Sequence, residues 1–294
     1  DDVVARVKGD YRETVAELML ESFVQPWTDW AHSHGCLTRN QAHGSPGNLL
    51  DLYGAVDIPE TEMFRLDRDP LVSKFASSAA HVMGRKRVAA EFGTWLRDHF
   101  NVRLADLKDL ADELFLSGVN QVLYHGTTYS PEEDPWPGWL FYASTQMNPR
   151  NAIWHDARAL NDYIARCQAV LQDGAPDNDI LIYWPIHDVW HDAKGRKRDL
   201  TIHHTEWFVR QPIGDMARQL WKRGYTFDYI SGHQLQQAET ADGELKVAGG
   251  NYRVLLVPPC DHMPVETMEK LVGLAKSGAT VLFDTGSHPE AGDG

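Results

Sequence analysis

Short apolar runs alternate with amphipathic stretches along most of the chain. Residues 10–34 carry Val15, Leu18, Met19, Ser22 and Phe23 at helical spacing, and Pro26 is expected to break that helix. Residues 36–42 read as a short strand ending in polar groups. Residues 43–47 form a turn, and a helix follows through Leu49, Leu50, Leu52 and Tyr53, with Ser45 as N-cap and Pro46 in its first turn. A second strand at 55–62 ends in acids, and a helix from about 72 to 83 leads to the stretch 87–95. That stretch is apolar from Val88 to Ala90 and then presents Glu91 beside Phe92, Gly93 and Trp95. A helix at 104–117, a strand at 119–125, a loop at 127–139 with Pro131, Pro135 and Pro137, and a long helix at 151–172 complete this part.

Strand and helix thus alternate, and each strand is followed by polar or charged residues: Arg39 and Gln41, Glu60, Glu91, His125. A strand of a parallel barrel is buried on both faces and tolerates charge chiefly at its C-terminal end, where such barrels collect catalytic groups. The expected fold is therefore α/β, with residues 1–174 forming the C-terminal half of a (β/α)8 TIM-type barrel. Half a barrel cannot close, and the N-terminus reads as the middle of something longer. After Gly174 a new pattern begins: strands at 180–183, 227–230, 252–257 and 279–283, helices at 207–223 and 264–277. Short βα units in this order predict a flavodoxin-like open α/β domain over 175–294, incomplete at its C-terminus. Gly249 and Gly250 signal a turn, since no phosphate-loop pattern accompanies them.

Composition narrows the partners. With 28 Lys and Arg against 42 Asp and Glu the net charge is −14, which disfavours nucleic acid or an anionic membrane surface as the main partner. No apolar run approaches the ~20 residues that cross a bilayer. Cys36, Cys167 and Cys260 are odd in number and widely separated, so neither a disulfide framework nor a cysteine zinc site is indicated. Ten Trp and ten Tyr supply flat faces that suit sugars and cores alike.

Glu91 is the first candidate for chemistry, and Glu60 the second. Two carboxyls flanking one bond can serve as general acid and general base. Glu62 competes with Glu60, because alternation puts both on one side of an extended segment. His125 suits a hydrogen bond to a substrate hydroxyl, with a structural histidine as the competing reading. His32, His34 and His43 lack the spacing of a zinc hydrolase, whereas a hard cation held by Glu60 agrees with the ligand types present. Trp136, Trp139 and Tyr142 could form a stacking rim; Trp27, Trp30 and Trp154 read as packing. The pair His203 and His204, and Trp184, show no acidic partner at useful spacing and read as structural.

Residues 38–53 (TRNQAHGSPGNLLDLY), 55–62 (AVDIPETE) and 87–91 (RVAAE) together resemble the α-L-rhamnosidases of glycoside hydrolase family 106. The similarity continues through 118–126 and 163–166, covering roughly the first 170 residues. More distantly the layout is similar to family 42 β-galactosidases. The rhamnosidase resemblance implies inverting hydrolysis of terminal α-L-rhamnose from an oligo- or polysaccharide, a calcium ion near the sugar hydroxyls, and a periplasmic or secreted enzyme. It implies that Glu91 is the general base at the end of the seventh barrel strand and that Glu60, on the sixth, lies near calcium and sugar. Arg39, Gln41, His125 and Trp139 are then expected to bind the sugar. The general acid belongs on the fourth strand, which would precede residue 1. Two alternatives stay open: a carbohydrate-binding scaffold without catalysis, and a retaining β-galactosidase-like enzyme with Glu91 as nucleophile.

Overall fold

The structure is a computed structural model describing residues 2–64, 67–96 and 99–284 and a short strand at 290–291. Its first element is longer than the apolar spacing predicts. Helix α1 (Asp2–Met19) runs through a wide π turn at Leu20–Val24 into α2 (Gln25–Ser33). Pro26 does not break the helix; it sits in the first turn of α2, directly after the π turn. Only Ala5, Arg12 and Ala16 of α1 are buried. Arg12 earns its burial by donating to the carbonyls of Trp190, Asp192, Lys194 and Gly195.

Four parallel strands follow in chain order, β1 (Arg39–Asn40), β2 (Ile58–Phe64), β3 (Ala89–Thr94) and β4 (Gln121–Tyr124), each hydrogen-bonded to the next. Helices α3 (Leu49–Gly54), α4 (Pro70–Val82) and α5 (Leu104–Leu116) make the crossovers that parallel pairing requires. The cap of α3 is Asn48, whose side chain accepts from Leu50 N, in place of Ser45. The expected helix at 151–172 divides into a 3-10 turn, Ala152–His155, and α6 (Ala157–Asp173).

A second parallel sheet contains β5 (Ile180–Tyr183), β6 (Phe227–Ile230), β10 (Val254–Val257) and β12 (Thr280–Phe283) in the order β12-β10-β5-β6. Short helices α7 (Ile186–Trp190) and α8 (Glu206–Val209) precede α9 (Pro212–Lys222), so the single helix expected at 207–223 is interrupted before Pro212. Helix α10 (Gly232–Gln236) leads into an antiparallel meander, β7 (Glu239–Ala241), β8 (Glu244–Val247) and β9 (Gly250–Tyr252), which the apolar pattern did not announce. A two-residue strand β11 (His262–Met263), helix α11 (Val265–Lys276) and β13 (Glu290–Ala291) complete the described structure.

Helix α4 joins the sheets. Every residue from Leu71 to Ala80 is buried, because α4 lies against β2 on one side and β6 on the other. Its Phe75 meets Trp184, Trp207, Phe208 and Tyr229 at ring separations of 4.6–5.6 Å. One apolar cluster thus runs from the first sheet to the second. It includes Trp184 as the packing residue its sequence context indicated.

Candidate active site

Parallel strands place their C-terminal ends at one edge, and that edge gathers the acids. Glu60 and Glu62 share a face of β2, with Thr61 and Met63 turned into the opposite layer. Register pairs Glu62 with Glu91 and Glu60 with Ala89, so Glu91 stands level with Glu62.

Glu91 is held from three sides. Gln41 Nε2 donates to Oε2 at 3.2 Å, and Thr94 Oγ1 donates to Oε1 at 2.8 Å. His125 Nδ1 lies 3.0 Å from the same Oε1 and 3.1 Å from Thr94 Oγ1. Thr94 reaches back because the strand bulges: the register of β2 and β3 slips between Glu62 and Phe64, and Gly93 adopts φ +77°. A bulge of this kind re-aims a side chain at the strand end, and glycine adopts the left-handed conformation without the cost of a Cβ. His125 is fixed by its own N–H, which donates to Phe92 O at 2.7 Å, and its ring meets Phe141 edge-on at 5.1 Å.

Glu60 is nearly buried, and Arg39 Nε stands 2.9 Å from its Oε2. That approach lacks hydrogen-bond geometry, so the buried oxygen accepts no bond. Burial pushes the Glu60 carboxyl above its ordinary pKa; Arg39 opposes the rise, while Glu91 and Glu62 add to it. Glu62 contacts a different partner, His43 Nε2, at 2.9 Å.

Arg39, Gln41, Glu60, Glu91 and His125 therefore converge. Trp139 shares no hydrogen bond or ring contact with them. It is exposed, its N–H donates to Ser130 Oγ, and its carbonyl accepts from Thr128 Oγ1 within its own loop. Arg150 also braces that loop, donating to Pro131 O and Asp134 O. Trp136 and Tyr142 are also exposed, and Tyr142 connects to the site through Phe141. Trp30 and Trp154, expected as packing, are instead exposed, and of the three only Trp27 packs against the core.

Sequence reasoning missed Thr94, Phe141 and His203. The triad Glu91-Phe92-Gly93 before Thr94 is the one local signal, a glycine ahead of a hydroxyl at a strand end. His203 was expected to lack an acidic partner; its Nδ1 lies 3.1 Å from Asp67 Oδ2, brought close by folding across 136 positions. A cavity of about 490 Å³ elsewhere, lined by Lys74, His81 and Asn178, includes none of the strand-end acids.

Carboxylates gathered at the ends of consecutive parallel strands, with aromatic side chains beside them, are an arrangement that glycoside hydrolases use. The chain belongs to the alpha-L-rhamnosidase family, glycoside hydrolase 106, whose sequence profile matches residues 1–293. The match extends well beyond the 170 residues that carried the resemblance. A rhamnosidase from Novosphingobium sp. PP1Y superposes with a TM-score of 0.75 at 24% identity, over 92% of this chain and 25% of that one. A Formosa agariphila protein provisionally named a beta-glucuronidase is 28% identical over 98% of this chain and 23% of its own length. A beta-galactosidase from Bacillus circulans sp. alkalophilus shares the fold, with a TM-score of 0.60 at 11% identity, over 94% of this chain and 40% of that one. The chain thus spans about a quarter of the length of the first two proteins. Among the described residues no helix is long and apolar enough to cross a membrane.

Proposed function

We propose that this chain is the C-terminal part of the catalytic region of an inverting α-L-rhamnosidase, with Glu91 as general base. The observation that carries the reading is the three-sided hold on Glu91 by Gln41, Thr94 and His125 at the C-terminal edge of the sheet. In this reading β1 to β4 are barrel strands five to eight. Among the described residues β1 and β4 carry no strand on their outer edges, which supports it, as do the exposed apolar side chains Val3 and Val7 on α1, Phe23 in the π turn and Trp30 on α2. Residues 175–294 would be a flavodoxin-like domain, since β12-β10-β5-β6 is the start of a 2-1-3-4-5 strand order.

Glu91 would take a proton from a water, which attacks the anomeric carbon while an acid on the upstream half protonates the leaving oxygen. Thr94 and Gln41 hold the base in one orientation as its charge falls. Arg39 and Gln41 have donors left for sugar hydroxyls, His125 Nε2 is left to accept from one while Nδ1–H faces Glu91, and Trp139 would lie at the outer rim for a further sugar of the glycan. The resemblance implies calcium, and the carboxylates around Glu60 supply the oxygen donors and negative charge such an ion takes, with Glu60 Oε2 accepting no hydrogen bond; Arg39, 2.9 Å from that oxygen, would have to turn aside to admit it. Glu60 would hold it, and calcium, when bound, would supply a fixed positive charge that orients sugar hydroxyls. A terminal rhamnose on an oligo- or polysaccharide is the proposed substrate, and secretion or export to the periplasm follows from that substrate.

The test is the first-formed sugar when the complete enzyme hydrolyses an aryl α-L-rhamnoside, followed by proton NMR. β-L-Rhamnose appearing first supports the reading. α-L-Rhamnose first, or no hydrolysis, overturns it.

A further inference from the structure

One cluster near the strand-end acids is not used by the proposed hydrolysis. His43, Glu62 and His203 bring two imidazoles and a carboxylate together, with one ligand atom from each lying within 4.8 Å of the others. They arrive from three separate segments: the turn after β1, strand β2, and the turn at 201–204 before α8. The third segment is pinned where it must be, because Gly44 N donates to Leu200 O at 2.8 Å and Thr201 bridges His204. The two imidazole rings meet edge-on at 5.7 Å.

Three features separate this cluster from an ordinary polar contact. His43 is almost buried, and among the described residues its Nδ1 has no hydrogen-bond partner while its Nε2 faces Glu62, so no other polar group fixes the ring proton and Nε2 can turn its lone pair to an ion. Asp67 Oδ2 lies 3.1 Å from His203 Nδ1, the carboxylate-to-histidine contact that orients a ligating ring and leaves Nε2 free to coordinate. His203 is 39% exposed, which gives an ion an entry path and a coordination position open to water. Ligand atoms of a tetrahedral site with bonds of about 2.0–2.1 Å stand about 3.3 Å apart. The 2.9 Å contact of His43 with Glu62 is already near that spacing, and the exposed His203 ring has the freedom to close the rest.

We propose that His43, Glu62 and His203 bind a divalent ion of the zinc class, with Asp67 orienting His203. Two nitrogen donors and one carboxylate select zinc, cobalt or nickel over calcium, which takes oxygen. The ion would tie the turn at 201–204 to the ends of β1 and β2, through a residue, Glu62, that is in register with the carboxylate proposed as base. It is separate from the calcium proposed at Glu60, and it does not depend on the hydrolytic reading.

The complete enzyme, stripped with chelator and dialysed, is titrated with zinc by calorimetry and with cobalt by visible absorption in the presence of excess calcium. One equivalent of each is expected, with a cobalt d–d spectrum of nitrogen and oxygen ligation. His203→Ala, whose side chain is partly exposed, should abolish the spectrum while far-UV circular dichroism stays unchanged. Asp67→Asn should weaken zinc about 10- to 100-fold, and Glu91→Gln should leave it unaltered. Absence of binding, displacement by calcium, or full affinity in His203→Ala would overturn the proposal. Activity is not among these readouts, so failure here and failure of the hydrolytic reading are distinguishable.

Discussion

Asp228 and Glu91 both lie in four-stranded parallel sheets, and their surroundings differ in every respect that matters for chemistry. Asp228, in β6, is wholly buried and saturated: His81 Nδ1 at 3.0 Å, Asn178 Nδ2 at 2.7 Å, Tyr252 Oη at 2.8 Å and the Lys74 ammonium at 3.9 Å all face it. Burial alone would raise its pKa, but His81, Lys74 and Asn178 outweigh that and hold it well below the usual carboxylate range. Glu91, at the end of β3, is partly accessible, and its partners Gln41, Thr94 and His125 include no permanent cation. A saturated carboxylate is fixed in one protonation state and serves the fold. A carboxylate oriented but not neutralised keeps lone pairs for a reactant.

The contrast is sharpened most strongly at Asp228. Asp228→Ala leaves Lys74 buried without its counter-charge, and urea unfolding should show a loss of about 3–5 kcal/mol. Because the folded pKa is depressed, the stability that Asp228 contributes is complete above its unfolded value near 4 and drains away as pH falls below it. The wild-type melting temperature should therefore drop steeply in acid, and that of Asp228→Ala less so. A flat difference between the two across that range would break the comparison.

Next in size is His125→Ala in the complete enzyme. Loss of a hydrogen bond to a charged group costs about 1.5–3 kcal/mol, so kcat should fall about 10- to 100-fold, with the melting temperature little changed. Gly93→Ala comes third. Its φ of +77° costs an L-residue about 1–2 kcal/mol, and the added Cβ meets Thr145 Oγ1 at 3.4 Å. A thermal melt should register that loss, and activity should fall because Thr94 turns away from Glu91. Glu60→Gln is the smallest effect and has the opposite sign. A raised folded pKa means the ionised form is penalised, and the penalty is absent below the ordinary Glu value near 4.3 and grows as pH rises through the folded value. Glu60→Gln should therefore raise the melting temperature slightly at pH 7 and leave it unchanged at pH 4.

The sheet strands were legible because short apolar runs are a local pattern: 58–64, 89–94 and 121–124 carry or precede a polar strand-end residue, and 180–183 and 227–230 are short buried runs between turns. The helices were legible where apolar spacing was unbroken. Pro26 misled because a π turn upstream places it at a helix start, which no local rule foresees. The meander of β7 to β9 escaped because its strands are short and largely polar at their edges. In the site, Glu91 and His125 stood out as strand-end residues, and Glu60 with Glu62 could be narrowed to one face. Separating those two needed their partners, Arg39 for one and His43 for the other, which lie in a different segment. His203 and Asp67 meet only through tertiary folding, so the histidine pair looked isolated along the chain.

The central claim is that Glu91 activates the water. The most direct measurement is turnover of an aryl α-L-rhamnoside by Glu91→Gln in the complete enzyme, with rhamnose affinity measured alongside. A fall in kcat of about 10²- to 10⁴-fold with rhamnose binding retained is the expected result. Turnover at the unaltered rate would contradict the account.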